Sequence, residues 1–171
     1  MSHPRLEIVR RLYRYACGYC GITETDAGDE MTVDHFMPRA SGGSDELDNL
    51  VYACWKCNQF KHDFWPTADD LTHEHRILHP LLDDLVIHLH ANEQTGQLQP
   101  LTATGHFHIT TLRLNRPQLV KFRLSRQLQQ MLQEKQHLLE AQIDELRKTI
   151  SAQEQYLAVL QAQIDELRSA Q

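Results

Sequence analysis

The sequence has little glycine and proline, and its last 54 residues have neither. Only 7 glycines and 6 prolines occur among 171 residues, and none follows Pro117. Because these two residue types are the ones that break helices, nothing interrupts a helix between Pro117 and Gln171. Roughly fifty helical residues would extend about 75 Å, which is longer than a core of this size could cover. The absence of helix breakers predicts one long C-terminal helix.

Long apolar runs are also missing from the N-terminal segment. Its first residues, MSHPRLEIVRRLYRY, are rich in charge and contain no hydrophobic stretch. We therefore expect neither a secretory signal nor a membrane span there, and no membrane partner. The expected location is the cytoplasm, where disulfides are rare and paired cysteines are more typical of metal sites.

Cysteine is scarce, and its four copies form two Cys-x-x-Cys pairs. Cys17 is paired with Cys20, and Cys54 with Cys57. Short-spaced thiol pairs present four sulfur atoms tetrahedrally to one Zn²⁺ ion. Four thiolates leave no coordination position open, so the pairs predict a structural zinc site rather than a catalytic one.

Acidic residues are absent from Gln94 to Gln133, although the chain has a formal net charge of −6. Five basic residues lie in this interval: Arg113, Arg116, Lys121, Arg123 and Arg126. A net negative charge is atypical of a protein that coats nucleic acid, but a local basic stripe can contact phosphates. Two interpretations stay open, a DNA-binding stripe and a solvated helix face.

Hydrophobic patterning around the thiol pairs predicts a mixed α+β fold. The predicted elements are a short helix after His3-Pro4, a loop over residues 23–30, a strand from Met31 into Asp34-His35, a long polar loop, a strand over residues 50–53, and a helix from about Trp55 that Pro66 terminates. The order around the second thiol pair is thus strand, loop, strand, helix.

The pattern beyond Pro66 is weaker. It predicts a short helix within residues 69–85, a β-hairpin whose first strand starts at Leu85 and whose turn is NEQTG, and a short helix capped by Thr104 and closed by Asn115. We expect three regions: residues 1–66 as the core with its zinc, residues 67–116 as a hairpin and helix extension, and residues 117–171 as the long helix.

The long helix contains a heptad repeat. The segment AQIDELR occurs at Ala141 and again at Ala162, three heptads later. The predicted a positions are Ile143, Ile150, Leu157 and Ile164, and the predicted d positions are Leu139, Leu146, Gln153, Leu160 and Leu167. β-Branched residues at a with leucine at d favour a parallel two-stranded coiled coil. The expected partner is a second copy of the chain, or the helix of another protein.

The stretch from Val33 to His62, VDHFMPRASGGSDELDNLVYACWKCNQFKH, contains the residues with the most chemical potential. Phosphodiester hydrolysis needs an activated water, charge neutralisation at the phosphate and stabilisation of the leaving oxyanion. His35 is a competent base near neutral pH. Asp34 and Asn58 offer hard oxygen ligands of the kind that Mg²⁺ or Mn²⁺ prefers.

The order of these residues resembles the HNH endonuclease family over about residues 17–63. The resemblance is carried by the two thiol pairs, the Asp34-His35 dipeptide, the Gly-Gly loop, Asn49-Leu50 and the segment CNQFK. It implies an α+β fold with a zinc-stabilised ββα-metal core, related to the treble clef, followed here by the hairpin and helix extension and the coiled-coil helix.

The resemblance also implies roles for individual residues. His35 would be the general base, and Asp34 and Asn58 would be ligands of the catalytic metal. Asn49 would hold the loop that positions His35, and Lys61 would lie near the scissile phosphate. The third signature position is Asn58 rather than histidine, which favours Mg²⁺ or Mn²⁺ over zinc or nickel at this site.

Two functions follow from the sequence. The first is a metal-dependent endonuclease that nicks or cuts DNA and carries a coiled-coil tail for dimerisation or partner binding. The alternative is a zinc-finger module that binds nucleic acid or acts as an adaptor through the coiled coil without cleaving. An adaptor has no need for a base beside two hard ligands, so the set of Asp34, His35, Asn49 and Asn58 favours the endonuclease.

Overall fold

Strand β1 (Met31–His35) and strand β2 (Leu50–Cys54) form an antiparallel pair at the centre of the protein. The computed structural model describes residues 3–28 and 31–169. The register pairs Met31 with Cys54 and His35 with Leu50. Every residue of β2 is buried, as its continuous apolar sequence LVYAC requires. The pair positions the Asp34-His35 dipeptide at the end of β1.

Helix α1 (Leu6–Leu12) and helix α2 (Glu24–Ala27) flank the second strand. Arg10 of α1 forms an ion pair with Glu24 of α2, and the Tyr52 hydroxyl donates to the same carboxylate at 2.6 Å. The sequence predicts a loop over residues 23–30, but Thr23 caps α2 by accepting from Asp26 N. Residues 29 and 30 of that predicted loop lie outside the described part.

Helix α3 (Trp55–Lys61) follows β2 directly and completes the predicted order of strand, loop, strand and helix. The prediction that Pro66 terminates this helix is wrong, because α3 ends at Lys61. His62 has a φ of 50°, a left-handed value that stops helical hydrogen bonding. A left-handed histidine leaves no clear signal in the sequence.

The extension contains helix α4 (Ala68–Thr72), helix α5 (Leu85–His88), the strand pair β3 (Leu89–Ala91) and β4 (Leu98–Pro100), and helix α6 (Ala103–Thr111). The predicted short helix and hairpin are therefore present. The hairpin is shorter than predicted, because Asp84 caps Val86 N and turns Leu85–His88 into a helix. The cap of α6 is Thr102, which accepts from Gly105 N at 3.0 Å, and not Thr104.

Close packing joins α6 to the hairpin. A Cβ at Gly105 would lie 2.1 Å from His88 O, so only glycine fits there. The side chain of Asn115 hydrogen-bonds both Leu98 N and Leu98 O at 2.8 Å. Apolar residues of the extension, including Ile109, Leu112 and Leu114, belong to the same buried cluster as Leu50 of the central strands.

Helix α7 (Pro117–Ser169) confirms the predicted long helix, although residues 170 and 171 lie outside the described part. The chain divides into two compact units, Met1–Arg126 and Gln127–Gln171. The described residues of the second unit all belong to α7, and the predicted seam is open to solvent, with Ile150 53% exposed and Leu157 62% exposed. None of the helices within residues 3–28 and 31–169 has the length and apolar content that crossing a membrane requires.

We expect acid to destabilise the first unit through His108. This histidine is 2% exposed, and its Nδ1 accepts from Leu78 N at 3.0 Å. Burial lowers the pKa of His108 to about 4. The neutral ring contributes fully above the unfolded pKa of about 6.5, and this contribution is lost as pH falls towards the folded value. At about 1.4 kcal/mol per pH unit, the loss is about 3 kcal/mol.

Denaturant unfolding of wild type and of His108→Asn across this pH range tests the expectation. The variant keeps a hydrogen-bond acceptor but cannot gain a proton. Its stability should therefore fall less between neutral pH and the folded pKa. Identical pH dependence of the two proteins would contradict the assignment.

Candidate functional site

The four cysteines come together at the start of α3. Their sulfur atoms all lie within 4.8 Å of one another, and none of the four forms a disulfide. The Cys20 and Cys54 sulfur atoms are 3.8 Å apart. A tetrahedral zinc with Zn–S bonds of about 2.3 Å separates its sulfur ligands by about 3.8 Å. The spacing and burial of the cluster therefore fit one structural Zn²⁺ ion.

Arg116, which immediately precedes α7, contacts this thiol cluster. Its Nη2 atom lies 3.6 Å from the sulfur atoms of Cys54 and Cys57. Burial alone lowers the pKa of Arg116, but the thiolates outweigh it and the pKa is raised. The guanidinium group thus offsets the negative charge that four thiolates leave around a divalent ion. The predicted role of Arg116 as a phosphate contact is not what its contacts show.

A second site lies where β1 meets α3. A cavity of about 290 Å³ is lined by residues from the end of β1, the loop after it, α3 and the two positions that follow α3: Val33, Asp34, His35, Pro38, Arg39, Ala40, Asn58, His62 and Asp63. The structure thus brings Asp34, His35 and Asn58 to one cavity, although they are 24 positions apart in the chain. The pairing of β1 with β2 places the Asp34-His35 dipeptide beside Asn58 of α3.

Two side chains, those of Tyr19 and Lys61, contact the carboxylate of Asp34. The Tyr19 hydroxyl donates to Oδ2 at 2.5 Å, and Lys61 Nζ lies 3.1 Å from the same oxygen. Burial raises the pKa of Asp34, while Lys61 and Tyr19 act against that shift. Both contacts favour the ionised carboxylate, which is the form that ligates a metal.

Lys61 does not lie on the surface as a phosphate contact would. It is 1% exposed, and its Nζ donates to His35 O at 2.7 Å as well as to Asp34. An ion pair in this position ties the end of α3 to the end of β1. The sequence-based role of Lys61 beside the scissile phosphate is therefore corrected to an internal one.

Asn49 holds the long loop between β1 and β2. Its side chain accepts from Met37 N at 2.8 Å and donates to Ser44 O at 2.8 Å and to Met37 O at 3.1 Å. A Cβ at Gly43 would lie 1.8 Å from Met37 O, so the loop needs glycine there. These contacts are of the kind expected of Asn49, because they close the loop directly after His35.

His35 contacts residues that the sequence-based reasoning missed. Its Nε2 lies 2.6 Å from Asp45 Oδ1, and Arg39 Nη2 lies 2.6 Å from the same oxygen. His3 stands edge-on to the His35 ring, with centroids 5.7 Å apart. Of these neighbours, Asp45, Arg39 and His3, only Arg39 is close enough to His35 in the sequence, four residues later, for a local pattern to have suggested the contact.

His3, His35 and Asp45 present potential metal-binding atoms within 4.8 Å of one another. The hydrogen bonding argues against a metal there. His3 Nδ1 accepts from Arg5 N at 3.1 Å, so the proton of the neutral ring is on Nε2, and a protonated nitrogen cannot ligate. The set is better explained as hydrogen-bonding groups around His35.

The five basic residues of the acid-free interval do not share one environment. Arg123 donates to Gly96 O at 2.6 Å and to Leu114 O at 2.8 Å, so it is tied to the backbone rather than free for phosphate. Arg113 is exposed and covers the Phe60 ring at 4.7 Å. Lys121 and Arg126 are exposed.

Comparisons with known proteins agree on the segment that contains both sites. Residues 17–64 match the family model described as HNH endonuclease. A segment of 46 residues is 48% identical to the CRISPR-associated endonuclease Cas9 of Corynebacterium diphtheriae, and it covers 26% of this chain and 4% of that protein. No solved structure matches the chain. The family match includes the thiol cluster and every cavity residue, but not α4 to α7.

Proposed function

We propose that the chain, whose residues 17–64 match the family model described as HNH endonuclease, is an endonuclease that hydrolyses phosphodiester bonds in DNA with a divalent metal ion. The chain corresponds to only 4% of the curated relative that it matches. The substrate, the metal and the partners are therefore argued from the residues of this chain. The proposal includes the cytoplasmic location, where the four thiols would stay reduced.

The observation that carries the proposal is the cavity shared by Asp34, His35 and Asn58. A carboxylate and an amide oxygen suit Mg²⁺ or Mn²⁺, which take oxygen ligands and also bind substrate phosphate. Such an ion would neutralise charge at the scissile phosphate and stabilise the departing oxyanion. Asp34, whose carboxylate form the contacts with Tyr19 and Lys61 favour, and Asn58 would hold it.

His35 would act on the water. In the proposed reaction its ring takes a proton from a water molecule as the oxygen of that water attacks phosphorus, and the bond to the leaving oxygen breaks. Lys61 and Asn49 do not touch the substrate in this scheme. Lys61 fixes the backbone of His35, and Asn49 fixes the loop that follows it.

The proposal assigns DNA phosphate contacts to Arg113, Lys121 and Arg126, which are exposed. Arg116 and Arg123 are left out because the thiol cluster and backbone carbonyls hold their guanidinium groups. Contacts of this kind bind without regard to sequence and weaken with salt.

Purified protein incubated with supercoiled plasmid in Mg²⁺ or Mn²⁺ tests the function. The expected products are nicked or linear DNA. Single-stranded DNA and RNA of matched length in parallel reactions would define the substrate class. Retarded migration of intact plasmid, with no cleavage in either metal, would favour the alternative of a non-catalytic binding module.

We also propose that the heptad residues of α7 form a parallel coiled coil with a second copy of the chain. The support is the open apolar seam, in which leucine and isoleucine side chains are exposed at most a and d positions. One such nuclease site acts on one strand, so dimerisation would determine whether paired nicks make a double-strand break. A helix of another protein is the other occupant that the seam would accept.

Charge placed in the seam should separate the subunits. Light scattering of wild type should give a dimer, and Ile150→Lys with Leu157→Lys should give a monomer, because lysine at consecutive a positions costs apolar burial and adds like-charge repulsion. The control is Gln155→Lys, at the outer f position, which should stay dimeric. A monomeric wild-type protein would contradict the homodimer.

A further inference from the structure

The carboxylate of Asp45 lies against the proposed general base. Asp45 Oδ1 is 2.6 Å from His35 Nε2, and Arg39 approaches the same oxygen with Nη2 at 2.6 Å and Nε at 3.1 Å. Hydrogen bonds from His35 and Arg39 lower the pKa of Asp45 to about 2. Asp45 is therefore a carboxylate at neutral pH and accepts both hydrogen bonds.

An ionised carboxylate has no proton to share, so the proton between the two side chains belongs to His35. In a neutral imidazole one nitrogen is a donor and the other an acceptor. With the proton on Nε2, the lone pair of the ring is on Nδ1. Arg39 Nε also lies 3.2 Å from His35 Nε2, but two donors cannot bond each other, so Arg39 donates to Asp45.

We propose that Asp45 is a positioning residue of the nuclease site, which fixes His35 in the tautomer whose Nδ1 accepts the proton from water. The assignment rests on the proposed function, because it names the atom that acts as the base. When Nδ1 takes the proton, the positive charge that develops on the ring is stabilised by the carboxylate on its opposite nitrogen. Neither the family match nor the sequence pattern assigns this role to Asp45.

The loop between β1 and β2 is built to deliver this carboxylate. Asn49 ties Met37 to Ser44, and Ser44 directly precedes Asp45. Arg39, in the 3₁₀ turn Arg39–Ser41, holds Asp45 from one side. The His3 ring covers an edge of His35, with its Nε2 3.9 Å from Asp45 Oδ1. Loop closure by Asn49 and orientation of His35 by Asp45 are thus parts of one arrangement.

The tautomer of His35 is the first measurement, because it does not depend on cleavage. Nitrogen-15 NMR of the ring at about pH 8 should show one tautomer with the proton on Nε2 in wild type. The His35 signals are assigned by their loss in His35→Gln. Asp45→Ala should give a mixture of both tautomers, and Asp45→Asn, which keeps an acceptor oxygen, should restore much of the Nε2–H form.

Cleavage kinetics provide the second measurement. Asp45→Ala should lower kcat by about 10- to 100-fold, as loss of a partner that orients a functional histidine does elsewhere, with KM unchanged. Asp45→Asn should lie between the alanine variant and wild type. The control is Glu46→Ala, which removes the neighbouring carboxylate of the same loop, one that faces Arg5 and not His35. It should behave as wild type.

Together the two measurements distinguish a failure of the positioning role of Asp45 from a failure of the proposed nuclease function. A single Nε2–H tautomer that persists in Asp45→Ala overturns the positioning role, whatever the rate. A fall in kcat without a change of tautomer also overturns it. If wild type cleaves nothing, the proposed function fails, while the NMR comparison still decides whether Asp45 sets the tautomer of His35.

Discussion

Replacement of Cys54 by serine is expected to unfold the first unit rather than merely slow the enzyme. Cys54 lies at the junction of β2 and α3. Its sulfur is 3.8 Å from that of Cys20, which lies between α1 and α2. Structural zinc sites supply about 10–16 kcal/mol of binding free energy that is also folding free energy. The free energy of unfolding of a domain of this size is only about 5–15 kcal/mol. Loss of the zinc-binding free energy should therefore remove most or all of it.

Metal analysis and thermal melting check this expectation. Wild type should contain close to one tightly held zinc per chain and melt cooperatively, whereas Cys54→Ser should have lost zinc and the cooperative transition. Arg116→Ala is the graded comparison, since it keeps all four thiolates and removes the guanidinium that contacts them, together with its hydrogen bonds to Leu112 O and Arg113 O. It should keep the zinc and melt at a lower temperature. A Cys54→Ser protein with a full complement of zinc and an unchanged melt would refute the structural role.

Replacement of His35 by alanine should lower the cleavage rate by about 10²- to 10⁴-fold, which is the typical contribution of a general base. The fold and the zinc content should not change, because His35 does not belong to the thiol cluster. Initial rates of plasmid nicking, with protein shown to contain zinc, measure the effect.

The matched control for this change is His106→Ala. His106 is an exposed histidine of α6 that does not line the cavity. It should cleave at the wild-type rate. Near-wild-type nicking by His35→Ala would remove the base from the proposed mechanism.

The sequence predicts the central architecture well, because its signals there are local. The alternation and apolar character of β1 and β2, the thiol pairs and the loop residues Gly43 and Asn49 each act over a few positions. Pro117 and the absence of helix breakers likewise predict α7. Two predictions failed where a capping residue determines the element: Asp84 caps α5, where the alternating pattern predicts a strand from Leu85, and Thr102 rather than Thr104 caps α6.

The contacts around the cavity could not be predicted from sequence, because they join distant residues with no periodic relation. Tyr19 reaches Asp34 across 15 positions, Lys61 reaches it across 27, and Asp45 reaches His35 across 10. Each of these residue types is also common in a location without such a contact: tyrosine often packs in a core, and lysine or aspartate usually lies on the surface. Only the fold decides between those alternatives.

The basic residues illustrate the same limit. The sequence shows how many basic residues the acid-free interval contains, but not which groups their side chains contact. Arg116 faces sulfur atoms and Arg123 faces carbonyl oxygens, while Lys121 and Arg126, which lie on α7 as Arg123 does, are exposed. The sequence-based set therefore divides into basic residues held by other groups of the protein and basic residues that are exposed.

The most direct test of the central claim is withdrawal and return of the proposed catalytic metal. Protein whose single zinc has been verified is assayed on supercoiled plasmid without added Mg²⁺ or Mn²⁺, and then with either ion restored. The account predicts no nicking without the ion, recovery on its return, and no recovery in a variant that replaces both Asp34 and Asn58 with alanine. Cleavage that proceeds equally without the ion, or that survives loss of both ligands, would contradict it.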